Sequence, residues 1–180
     1  MSDVLDLTAY RSKLVEERAF GAWLKRFGES YGAETKVADF SDSTLYFLAK
    51  PGEETAVAYY ELVMGILNLG KAPKFYYLDE VQQLRVVDIH LLLADQVRFE
   101  LMRRLGWLTG FPGHKYTLLE MVQTFDTVKV EVRKEPIALS PSHPDYGVFE
   151  KLTIEDKQVF IRRKLLKALE AFRAKIAEDT

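Results

Sequence analysis

The sequence predicts a mainly α-helical domain: a compact packing of five or six helices, with a small β element near 127–139 and a second candidate for β structure at 36–49. Three observations carry this. Apolar residues recur at helical spacing over three long stretches, 7–27, 79–105 and 154–176. Side chains suited to helix starts stand ahead of several of the stretches. Val128, Val130 and Val132 alternate with Lys129, Glu131 and Arg133, a period of two that suits a strand. With 180 residues, 48% of them hydrophobic, the chain is long enough to bury a real core and is read as one domain, 1–180.

In chain order, Val15, Ala19, Trp23 and Phe27 form one stripe of a first helix, and Gly28 stands at its end. Residues 36–50 admit a hairpin around Ser41-Asp42-Ser43 or a short helix capped by Ser43 and stopped by Pro51; the helix is preferred. Glu53 and Glu54 in a first turn and Gly70 at the far end delimit a helix over 53–69. Asp79 with Gln82 makes a capping box for the longest periodic stretch, to about Leu105. Thr117 with Glu120 opens a short helix to about Phe125. A strand at Val128–Val132 needs a partner, either Ile137–Leu139 or part of 35–50. Prolines 136, 141 and 144 make 134–147 the least regular stretch. Thr153 caps the last helix, whose stripe is Ile161, Leu165, Ala168, Phe172 and Ile176.

Composition then narrows function. The 25 basic and 27 acidic residues leave a net charge of -2, so no global field favours nucleic acid or an anionic membrane. The basic residues of the last helix, among them Lys157, Arg162, Lys164, Arg173 and Lys175, flank its apolar stripe and read as stems covering a core helix. The absence of cysteine removes disulfides, thiolate nucleophiles and cysteine-based metal or iron–sulfur sites. The acidic start Met1–Asp6 is unlike a secretory signal, and no charge-free apolar run reaches the ~18 residues of a membrane helix. A soluble, cytoplasmic protein is expected.

Candidate chemistry is sparse. There is no Gly-x-Ser-x-Gly and no HExxH. His90 lies on the apolar side of its helix and is read as a packed histidine rather than a ligand. Asp88 and Asp95 stand among Leu84, Leu92 and Phe99; seven residues of helix separate them by about 10.5 Å, too far to share a proton or a metal. Ion pairs with Arg85 and Arg98, each three residues away, are their expected partners. The segment from Gly106 to Tyr116 concentrates three glycines and three aromatics, but a phosphate loop ends Gly-Lys-Ser/Thr, and here Gly113 is followed by His114 and Lys115 by Tyr116.

Two aromatic loop segments therefore become the candidate patch: Phe75, Tyr76 and Tyr77, and Trp107, Phe111, His114, Lys115 and Tyr116. The functional expectation is a protein-interaction or assembly protein that uses these surfaces, with a protein partner that includes a second copy of itself as a homodimer. The rival is a small-molecule binder or enzyme whose pocket is lined by the 106–116 loop through Trp107, Phe111 and Tyr116 with His90 or His114. Neither reading assigns a catalytic residue, a metal or a cofactor.

Overall fold

The computed structural model describes residues 7–179; the acidic start Met1–Asp6 lies outside the described residues. The chain is mainly α, with helices α1 (Leu7–Val15), α2 (Gly21–Phe27), α3 (Asp42–Ala49), α4 (Glu53–Leu67) and α5 (Glu80–Arg104). Strand β1 (Leu108–Gly110), α6 (Leu118–Gln123), α7 (Phe125–Lys134), β2 (Ala138–Leu139), α8 (Tyr146–Glu150), α9 (Ile154–Arg163) and α10 (Leu165–Glu178) follow. A π turn over Glu16–Phe20 joins α1 to α2, and short 3-10 turns cover Val37–Asp39, Ala72–Tyr77 and Pro112–Lys115.

Side-chain caps set the helix starts. Asp79 accepts from the Gln82 amide at 2.8 Å while Gln82 Oε1 accepts from the Asp79 amide at 3.4 Å, which is the expected box. Thr117 and Thr153 accept from the amides of Glu120 and Asp156, each at 3.1 Å. At α3 the cap is Ser41, which accepts from Thr44 at 3.2 Å; Ser43 lies inside the helix. Such caps satisfy amides that no earlier turn can reach, each contributing about 1 kcal/mol.

The valine run is the main departure. Residues 125–134 are helical, and Phe125, Val128 and Val132 are buried while Val130 is exposed. Spacings of three and four among the buried three make a helical stripe, so packing against the core overrides a local period of two. The small sheet sits at the C-terminal end of the expected span. There β2 pairs antiparallel with β1, Leu108 opposite Leu139, so the partner comes from the 106–116 segment rather than from 35–50. Residues 36–49 carry no strand.

Two of the three long helices are subdivided. The first is interrupted by the π turn, and the last breaks at Lys164, which separates α9 from α10. These two breaks, with α7 in place of the expected strand and α8 in the proline-bearing stretch, raise five or six expected helices to ten α segments among the described residues. The final stripe still faces inward: Ile161, Ala168 and Phe172 are buried, and Leu165 and Ile176 pack partly buried against the core.

Helices α4 and α5 run through the centre. Against α4 lies the π turn, so closely that a Cβ on Gly65 would stand 2.7 Å from Ala19 Cα and 3.0 Å from Ala19 N. Arg18 Nε also donates to the Gly65 carbonyl at 3.2 Å. Gly65→Ala therefore has to push backbone from backbone. Overpacking costs about 1–3 kcal/mol, against the ~1 kcal/mol that alanine gains over glycine inside a helix. A lowered urea midpoint is the expected outcome, and a raised one would show that the two elements separate freely.

Candidate functional site

The segment Ala72–Tyr77 presents its aromatics unequally. Pro73 fixes the first 3-10 turn, and Phe75 turns inward to stack on Tyr60 at 4.4 Å between ring centroids with planes 12° apart. Gln83 donates to the Phe75 carbonyl at 3.0 Å and ties the turn to the first turns of α5. With Phe75 anchored, its neighbours are left outside: Tyr76 is 76% exposed and Tyr77 89%. Val81 at 77% and Leu84 at 58% continue the apolar surface onto α5. Spaced by three residues, they share one side of that helix.

The second aromatic segment lies elsewhere. Phe111 is buried against Phe99, near the other end of α5, so sixteen residues of helix, about 24 Å, separate it from Gln83. Trp107 is half-buried and meets His143 edge-on at 6.0 Å, while its carbonyl accepts from Ser140. His114 is exposed, with Nδ1 2.9 Å from the Phe111 carbonyl. Lys115 lies over the half-buried Tyr116 ring at 5.3 Å and 3.8 Å from Glu135. The expected patch is thus two separate regions. The first exposes large aromatic surface; the second mostly packs on its own chain.

His90 is partly buried between Tyr59 at 4.7 Å and Tyr60 at 5.6 Å. Burial, reinforced by the charge of Arg98, holds its pKa down at about 4, so it is neutral at pH 7. It does not meet the 106–116 loop and reads as a packing residue.

A cavity of about 260 Å³ opens between α5, α7 and α9. Its apolar lining comes from Leu92, Phe99, Phe125, Val132 and Ile137, and the 106–116 loop contributes only Pro112. Polar groups reach it from three elements: Asp88 and Asp95 on α5, Lys129 and Arg133 on α7, Arg162 on α9. Gln96, 2% exposed, also lines it, and Gln96 Oε1 has no hydrogen-bond partner among the described residues. That oxygen lies where a Cβ on Gly113 would stand, 1.9 Å away, so glycine at 113 is what lets the amide fit.

The partners of Asp95, Arg85 and Arg98 are not those expected from helix spacing. Asp95 is held by Arg162 through two hydrogen bonds, at 2.6 and 3.3 Å. Arg85 reaches Asp126 at 3.4 Å, and Arg98 donates to the Ala49 carbonyl at 3.3 Å. The sequence singled out Asp88 and Asp95 but missed Lys129, Arg133 and Arg162, whose only sequence signal was a charge on the outer side of an apolar stripe. No group of three His, Asp or Glu side chains that could hold a metal occurs among the described residues, and no helix among them is long and apolar enough to cross a membrane. No protein-family model matches the chain, and comparisons with curated proteins and with solved structures found no significant match.

Proposed function

We propose that this chain is a cytoplasmic protein-interaction or assembly protein, and that its partner is a second copy of itself. The observation that carries the reading is the ridge Tyr76, Tyr77, Val81 and Leu84, four large side chains more than half exposed and consecutive along one turn and one helix. Contiguous apolar surface of this kind is uncommon on a monomer and marks interaction sites. Tyrosine is favoured there because it offers large area at low entropic cost with a hydroxyl left for hydrogen bonding. A helix-borne ridge can meet its own copy across a two-fold axis, the commonest arrangement of homo-oligomers. A chain net charge of -2 gives no field for nucleic acid, and a fold without disulfides suits a reducing compartment.

Four side chains make a small interface, so association should depend on concentration. Sedimentation velocity across a broad concentration range is expected to show a reversible dimer. The double variant Tyr77→Asp, Leu84→Glu should be monomeric throughout with an unchanged circular dichroism spectrum. A wild-type chain that stays monomeric at every concentration would remove the self-association reading.

A further inference from the structure

We infer that the cavity between α5, α7 and α9 binds a small zwitterion with an apolar body, the chemistry of a free α-amino acid with a hydrophobic side chain. This does not rest on self-association, because the ridge ends at Leu84 and the cavity begins at Asp88.

The argument starts from which charges are already used. Arg162 and Asp95 neutralise each other through their paired hydrogen bonds. Lys129 leans toward Asp126 at 3.7 Å and over the Phe125 ring at 5.2 Å. Two charged groups at the cavity remain, Asp88 on α5 and Arg133 on α7, and neither has an ion-pair partner among the described residues. They are opposite in sign and stand on different walls. A ligand with an ammonium and a carboxylate can satisfy both without bringing a net charge, whereas a simple anion or cation leaves one of them unmatched.

The apolar lining specifies the remainder of the ligand. Leu92, Phe125, Val132 and Ile137 offer no polar atom from their side chains, so that side of the cavity suits a hydrocarbon body lying beside the charged ends. Volume limits its size. About 260 Å³ falls below the roughly 300–1,000 Å³ usual for drug-sized ligands, which leaves room for a single amino acid and not for a nucleotide.

The test is calorimetric titration of the full chain with L-leucine and L-phenylalanine, beside 4-methylpentanoate and 3-methylbutylamine, which each keep the leucine-like body and one charge. At least one amino acid is expected to bind below about 1 mM, with both single-charge analogues at least about tenfold weaker. Asp88→Asn and Arg133→Gln are surface changes that should leave the thermal midpoint in place and each weaken amino-acid binding about tenfold. Equal binding of a single-charge analogue, unchanged affinity in both variants, or no heat from either amino acid up to about 10 mM would overturn the proposal.

Discussion

Trp23→Ala should lower the free energy of unfolding by about 3–5 kcal/mol, a large share of the roughly 5–15 kcal/mol that holds a typical domain together. Trp23 is 1% exposed, and its indole N–H donates to the Ala58 carbonyl at 2.8 Å. Its ring meets Phe20, Phe27, Tyr31 and Phe40, with centroids 5.5 to 6.4 Å apart. Alanine would remove the hub of that cluster and leave a void bounded by the π turn, α2 and α4, whose backbones are pinned by the Gly65–Ala19 approach and cannot close onto it. Trp23→Phe keeps most of the ring contact and loses the hydrogen bond, so a smaller cost is expected. Trp107→Ala is the counter-example, since Trp107 is only half-buried and at the edge of the fold. Urea denaturation of the three variants checks the order, and a Trp107→Ala loss equal to that of Trp23→Ala would show that the core is misplaced.

Trp23 was legible in the sequence because its stripe is local, but the local pattern also concealed something. Val15, Ala19, Trp23 and Phe27 recur every four residues, and four steps of 100° overshoot a full turn by about 40° each time. A regular helix would swing the later members away from the core. The wider π turn at Glu16–Phe20, with its i to i+5 bonds, takes up much of that drift and keeps Ala19 and Trp23 buried together. The spacing contained the hint, and the assumption of uniform helix hid it.

Sites were less legible than elements, for a different reason. Helix caps join residues three apart, so Asp79 with Gln82 and Thr117 with Glu120 could be read directly. Tertiary packing joins Asp95 to Arg162 across 67 residues at the cavity, and Arg85 to Asp126 across 41. A spacing of three on a helix surface is worth only a few tenths of a kcal/mol, and tertiary packing brings better-aligned partners from other helices. The aromatic segments show the same limit. Composition alone could not separate Phe111, which is buried against Phe99, from Tyr77, which stays exposed beside the anchored Phe75.

Glu100→Gln should cost about 3 kcal/mol, the lower end of the range for removing one partner of a buried ion pair. Glu100 is fully buried near the end of α5, where Arg103 grips it at 2.7 and 2.8 Å and Arg104 at 2.9 Å. Arg104 in turn reaches Asp42 at 2.9 Å and the Ala38 carbonyl at 3.1 Å, while its own carbonyl accepts from Lys175 at 2.9 Å. One carboxylate thus positions the guanidinium that ties α5 to the start of α3, beside the carbonyl that holds α10. Burial alone would raise the Glu100 pKa, but the hydrogen bonds and charges of both arginines outweigh it and hold the carboxyl below its ordinary value of 4.5. A depressed carboxyl contributes stability above the unfolded pKa and loses it as pH falls through the folded one, because the unfolded chain takes up the proton first. His90 acts over a higher window: with its pKa pushed from 6.5 to about 4, the unfolded chain gains a proton that the folded chain refuses between those values. Thermal midpoints measured from pH 7 downward should therefore decline in two overlapping stages. His90→Phe is expected to flatten the stage between about pH 6.5 and 4, and Glu100→Gln the stage below 4.5, at a lower midpoint throughout. An unaltered acid profile in Glu100→Gln would mean that the arginines, and not the carboxylate between them, hold this corner of the fold.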